Sequence, residues 1–406
     1  MAQIYPFKAV RPTSDKVSLV TSRSYEDYSS AELAAQLDFN PLSFLHVLHP
    51  AYSGPQMESY DKRFRQVHQK YEEFKNDHIL VQDGKPAVYI HRIVAKHRTF
   101  TGIIVATSVE DYKSDIIKRH EDTLQYRVQL FKDYLKFSGF NTEPVLMTYP
   151  DNPKLGRWIT EKTSAVAQFE FSTSKQDLHY LWKIDDESEI KQLQETFAVI
   201  GDLYIADGHH RCASAELLYD ESAKFEDSSI NCFMSFLISE SNVQIYEFNR
   251  LVKDLNGNSK EAFLEKILQC FEVTDSTLTT IRPQEKHQFG MYLENEFYSL
   301  KLIEDKCLFD SPLDRLDAQI LYEKILEPVL GISDLRNDAR IEYIPGKIAV
   351  SEITQKIDSG FYKIAFFLFP AEIEDIKAIA DAHQIMPPKS TYIEPKFRSG
   401  LVVYEL

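Results

Sequence analysis

Residues 202–218 read as a strand, a tight turn and the opening of a helix, and this junction limits the fold more than any other stretch of the chain. Asp202–Ala206 has strand patterning, Asp207-Gly208 is a turn dipeptide, and Arg211 to Leu218 suit a helix. A strand needs a sheet and a following helix needs a face to cover, so the chain is mixed α/β. The first N–H groups of a helix have no partner inside it and the helix dipole is positive there, which makes such a junction an anion site. Gly208 lets the backbone approach a phosphate, His209 and His210 follow it, and Arg211 offers a planar fork. Neighbouring helical residues point about 100° apart, so one of the two histidines should face solvent or a ligand. The same geometry argues against both chelating one metal from one helix. A plainer reading stands beside this: Asp207 caps the helix, Gly208 eases the turn, and the histidines and Arg211 line a surface.

Elsewhere the pattern alternates between the two periods. Tyr60, Phe64, Val67, Tyr71 and Phe74 have helical spacing and form a core stripe, and after Asp83-Gly84 come strand-like runs at Ala87–Val94 and Phe100–Thr107. A long helix is predicted from about Val109 to Phe137, with Ile117, Leu124, Val128, Phe131 and Leu135 on one face and an end near Gly139. A short helix at Glu187–Phe197 precedes the junction. After it come a helix at Cys212–Tyr219 and strands at Asn231–Ser239 and Gln244–Asn249. Asn256-Gly257-Asn258-Ser259 is the best linker, followed by helices from Lys260 and over Ala318–Leu330 and strands near Arg340–Ile344 and Phe361–Phe369. The expected class is α+β (mixed α/β) in two parts: residues 1–255 with the motif, and a C-terminal α+β region, 256–406.

Composition narrows the partners. With 406 residues and 43% hydrophobic content the chain can bury more than one core, and its four scattered cysteines suggest neither a zinc knuckle nor a disulfide framework. The N-terminus lacks a secretory pattern and no run approaches the ~20 apolar residues that span a bilayer, so a soluble cytoplasmic protein without a membrane partner is expected. The formal charge of −16 repels phosphate backbones and speaks against nucleic acid, so a small anionic substrate needs local cations.

Two further groups supply candidates. His120 and Glu121 lie on or beside the predicted Val109–Phe137 stripe, with Thr123 one turn from His120, and Glu121 is placed to act as a general base with His120 as its proton partner. The alternative is a structural hydrogen-bonding pair. Pro387-Pro388 hold Lys389-Ser390-Thr391 out of a helix, and Lys389, Ser390, Thr391 and Lys396 are candidate phosphate contacts, although no Gly-rich loop precedes Lys389. A solvated loop is the alternative there. His46, His49, His91 and His97 are expected to be structural or surface residues.

Ala206-Asp207-Gly208-His209-His210-Arg211 resembles the A-D-G-H-H-R signature of a family of uncharacterised bacterial and archaeal proteins, which is similar in that motif to the ParB/sulfiredoxin-like phosphotransfer group that includes free serine kinases. The resemblance extends to Pro6–Pro12, Asn40-Pro41 before Ser43-Phe44-Leu45, His120-Glu121-x-Thr123, Met386–Thr391 and Pro395-Lys396. It departs at Ser22–Asp27, where relatives are expected to carry Pro-Tyr-Asp-Val, and no ParB-type helix-turn-helix is evident. The resemblance implies a ParB/sulfiredoxin-like core with insertions and a role in serine metabolism, phosphorylating free serine or dephosphorylating phosphoserine. The reading is thus an enzyme of phosphotransfer at a small hydroxyl substrate, with a phosphorylated small molecule or nucleotide as partner and Mg²⁺ with ATP or ADP as cofactor, Asp207 being the candidate metal ligand. Two other classes remain open: a nucleotide-binding switch without turnover, and a metal hydrolase using Asp207, His209 or His210 with His120.

Overall fold

In the computed structural model, which describes residues 1–49, 59–222 and 229–406, contacts divide the chain into two compact units. The first comprises residues 1–118, 123–243 and 395–406, and the second residues 119–122 and 244–394. The passage between them falls at Val243, short of the Asn256 turn, and the last twelve residues return to the first unit. Asn256 and Gly257 do form a left-handed turn, at φ 55 and φ 75, from which Ser259 caps helix Lys260–Ile267. That turn lies within the second unit and marks no boundary.

The first unit is built on a nine-stranded mixed sheet of the described residues. Its central strand Cys232–Ser239 runs antiparallel to Thr99–Ser108 and parallel to Val145–Tyr149, which in turn pairs antiparallel with Leu203–Asp207. On the other side Thr99–Ser108 carries Val88–Val94, then Leu178–Ile184, then Phe169–Ser172. Alternate residues Ile103, Val105, Met147, Leu203 and Ile205 face helices Glu187–Ile200 and His209–Glu221, which contribute Leu193, Phe197, Cys212 and Ala215 to one core. A second core forms where Val67, Tyr71 and Phe74 of helix Tyr60–Asn76 meet Phe140 and Val403. Tyr60, at the start of the expected stripe, is 58% exposed.

The long helix expected over 109–137 is broken. Helix Val109–Lys113 ends at Ser114, Asp115 takes φ 60, and Ile117–Lys118 becomes an edge strand parallel to Leu203–Tyr204 before helix Gln125–Ser138 begins. Ile117 buries its side chain in the sheet core, so strand pairing overrides the local helical periodicity. His120 and Glu121 therefore sit on a loop.

The second unit has a six-stranded sheet in the order Phe271–Asp275, Glu296–Leu302, Gln288–Leu293, Ile364–Phe367, Phe248–Val252, Ile341–Pro345, with every pairing antiparallel. Helix Val350–Asp358 lays Ile353 and Ile357 against Leu251, Ala365 and Phe367. The helix expected over 318–330 is shorter: Asp317–Leu321 continues as a wider π-type turn, Tyr322–Leu326. Both units mix helices with sheet, so the α+β class holds.

Candidate functional site

Strand Leu203–Asp207 is regular until its last residues. Ile205 stands opposite Met147, but Asp207 rather than Ala206 stands opposite Leu146, so one extra residue bulges out immediately before the turn. In a regular strand Asp207 would share the face of Ile205, which is fully buried in the core. The bulge breaks that alternation and leaves Asp207 half-buried beside the helix start. Gly208 then takes φ 104, the left-handed region, and serves as N-cap of the 13-residue helix His209–Glu221. A Cβ here would be strained by that φ and would stand 3.4 Å from Val145 Cα and 3.5 Å from Arg211 Nη1. Strand, bulge, left-handed glycine and helix thus follow one another where the sequence places the turn, and leave the opening N–H groups of the helix without partners inside it.

Two cations meet Asp207. Its Oδ2 lies 3.0 Å from Lys396 Nζ. Burial works against ionisation of this carboxyl, but Lys396 first and Arg211 next outweigh it and hold the group below the usual carboxylate range. The guanidinium of Arg211 is engaged close by: it pairs with Glu143, whose other oxygen accepts from Ser399 Oγ at 2.5 Å, and it donates from Nη1 to the Pro144 carbonyl at 3.2 Å. Its fork therefore ties the helix start to the segment entering Val145–Tyr149.

The adjacent histidines divide. His209 is 3% exposed, buried in the first helical turn. His210 is half-buried, its Nε2 accepts the Leu124 N–H at 3.1 Å, and its ring stands edge-on to Phe131. Leu124 is the N-cap of helix Gln125–Ser138 and provides no side-chain acceptor, so His210 satisfies one of that helix's opening donors. An accepting Nε2 is unprotonated, which places the proton of the neutral ring on Nδ1.

The remaining candidates belong to different parts of the chain. Asp207, Gly208, His209, His210, Arg211 and Lys396 are in the first unit; His120, Glu121, Lys389, Ser390 and Thr391 are in the second. His120 is fully buried and its carbonyl accepts the Met386 N–H at 2.8 Å, while Glu121 is half-buried. Ser390 is buried with its hydroxyl donating to the Pro387 carbonyl at 2.7 Å, and Lys389, at φ 57, sets its Nζ 5.4 Å from the Phe248 ring. Sequence reasoning missed Glu143, and nothing in its spacing from Arg211 marks it; the contact is made by the sheet.

The fold and this junction define a mixed α/β protein with a bulged strand, a left-handed glycine and a helix start in succession. Residues 4–319 match the model of the family described as a protein of unknown function, DUF1015, and the chain belongs to that family. No curated protein matches it. Among solved structures it is similar to a free serine kinase in complex with AMP, at 14% identity and TM-score 0.37 over 76% of this chain and 94% of that one. It is also similar to SbnI with a C-terminal truncation from Staphylococcus aureus, at 14% and 0.40 over 73% and 85%. A third likeness is to a conserved hypothetical protein from Pyrococcus furiosus, at 13% and 0.34 over 75% and 94%. Agreement this loose carries no argument about activity. No helix of the described residues is long and apolar enough to cross a membrane.

Proposed function

We propose that the first unit binds a phosphorylated ligand at the Asp207–Arg211 junction and transfers its phosphoryl group between a nucleotide, or water, and the hydroxyl of a small substrate, serine. The observation that carries this is Gly208 at φ 104, set between a bulged strand end and a full-length helix, with Lys396 and Arg211 gathered at Asp207. Phosphoryl transfer asks little covalent chemistry of a protein and depends on placing the phosphorus, the attacking oxygen and compensating charge. The helix N-terminus takes the phosphate oxygens, with Gly208 admitting them closely. Lys396 supplies a point charge, and Asp207, kept ionised, accepts a hydrogen bond from the substrate hydroxyl and orients it. Arg211 holds the helix start in place through Glu143 and Pro144, and His210 ties the next helix to it. Serine as the substrate rests on the motif resemblance alone.

Mg²⁺ fits poorly at Asp207: this single carboxylate is already matched by Lys396 at 3.0 Å, and a Mg²⁺ ion bound there would have to displace that cation. A phosphorus NMR screen of the purified chain with serine, phosphoserine, ADP and ATP tests the reading. Conversion of serine to phosphoserine, or release of phosphate from phosphoserine, supports it, whereas nucleotide binding without turnover of either would favour a nucleotide-binding switch.

A further inference from the structure

The second unit contains a small cleft with a buried carboxyl that the phosphate-transfer reading does not use. It is lined by Glu247, Lys286, Arg315, Asp317, Asp375 and Ser390, backed by the apolar stretch from Leu368 to Ala371. Asp317 is 6% exposed; one oxygen accepts the His287 N–H at 2.9 Å, and Oδ2 has no hydrogen-bond partner among the described residues. A buried carboxyl oxygen left without a donor is costly, and such groups are normally satisfied by protein, water or ligand. Glu247, also 6% exposed, adds a second buried acid, paired with Arg282 at 3.1 Å. Cations stand at the same cleft: Lys286, shared between Glu372 and Asp375, and Arg315, exposed, its guanidinium 5.2 Å over the Phe309 ring. The cavity volume is about 10 Å³, room for one water or one ammonium group and little more.

We propose that this cleft binds a small zwitterion of the amino-acid type, its ammonium group donating to Asp317 Oδ2 and its carboxylate lying against Arg315 and Lys286. An ammonium matches both the size of the space and the need of the acceptor, and it compensates a buried carboxylate better than a neutral donor does. A carboxylate suits the planar fork of Arg315. Burial pushes the Asp317 carboxyl up to about 7; the His287 N–H, the His287 ring and Lys286 pull it down and Asp375 pushes it further up, while Glu247, Arg250 and Arg315 are the other charged groups facing it. An ammonium selects the ionised carboxyl, so binding strengthens as pH rises through 7 and releases a proton below it.

Calorimetric titration of the full chain with glycine, the smallest such zwitterion, tests the site, with methylammonium chloride and sodium acetate as half-ligands. Glycine should bind about tenfold more tightly at pH 8 than at pH 6, releasing protons at pH 6 as read from two buffers of different ionisation enthalpy. Asp317→Asn and Arg315→Gln should each weaken it by about tenfold or more, as loss of a charge-assisted contact does; Arg315 is exposed, so its variant tests the site even if Asp317→Asn melts early. Arg211→Lys should leave glycine affinity unchanged. Absence of glycine binding at millimolar concentration, affinity that survives both cleft variants, acetate binding as tightly as glycine, or loss of binding with Arg211→Lys would each overturn the proposal. The last result would place the ligand in the first unit, so this site and the phosphate site fail separately.

Discussion

Asp207 and Asp317 are the same residue type, and each stands at the beginning of a helix, yet their carboxyls are displaced in opposite directions. In the first unit Asp207 is half-buried beside Lys396 and Arg211 and is held below the carboxylate range; in the second Asp317 is buried with one oxygen unpartnered and is pushed up to about 7. A helix dipole favours a negative charge in both places, so the difference comes from partners and burial. Opposite charges beside Asp207 favour its ionised form, while burial without a second partner disfavours that form in Asp317.

The largest test of this contrast is Asp317→Asn. A carboxyl moved from 3.8 to about 7 is worth on the order of 4 kcal/mol. Its folded value is raised, so its contribution is full below about pH 4 and is lost as pH rises through 7. The asparagine keeps the His287 contact and cannot ionise. Urea unfolding should therefore show the variant gaining stability on the wild type between pH 4 and pH 8, by up to about 4 kcal/mol; parallel pH profiles would show that Asp317 ionises freely.

Arg211→Lys comes next, because it loses the fork that joins Glu143 to the Pro144 carbonyl. A loss of about 1–2 kcal/mol is expected, with Glu143→Gln giving a similar loss and the double variant less than the sum. Additive losses would dismiss the tether. Gly208→Ala should cost about 1 kcal/mol through the left-handed backbone and should weaken a phosphorylated ligand by more than it lowers the melting point. Unchanged phosphoserine affinity in calorimetry would move the phosphate away from this turn. The smallest effect is that of Lys396→Ala: the pair is partly exposed, so stability should change by less than about 1 kcal/mol, yet the Asp207 carboxyl should titrate higher by carbon-13 NMR. An unmoved titration would leave Arg211 as the source of the shift.

The junction was legible because each of its parts has a local cause. A turn dipeptide, a glycine free to take positive φ and a helix-forming run follow from the residues themselves, and strand Leu203–Asp207 and helix His209–Glu221 lie where the pattern places them. The Val109–Phe137 helix misled because periodicity is a local signal, while Ile117 was claimed by the edge of a sheet assembled from residues far along the chain. The same reason hid the role of Arg211, whose partner is brought in by the strand at Val145.

By itself the sequence determined the mixed class, most of the elements and a glycine turn at a helix start, since these depend on neighbours within a few residues. Only the tertiary structure decided that Asp207 is charged and Asp317 protonatable, that His210 caps another helix, and that Arg211 is a tether, because burial and the partners of a charge are set by segments that meet only when the sheet closes.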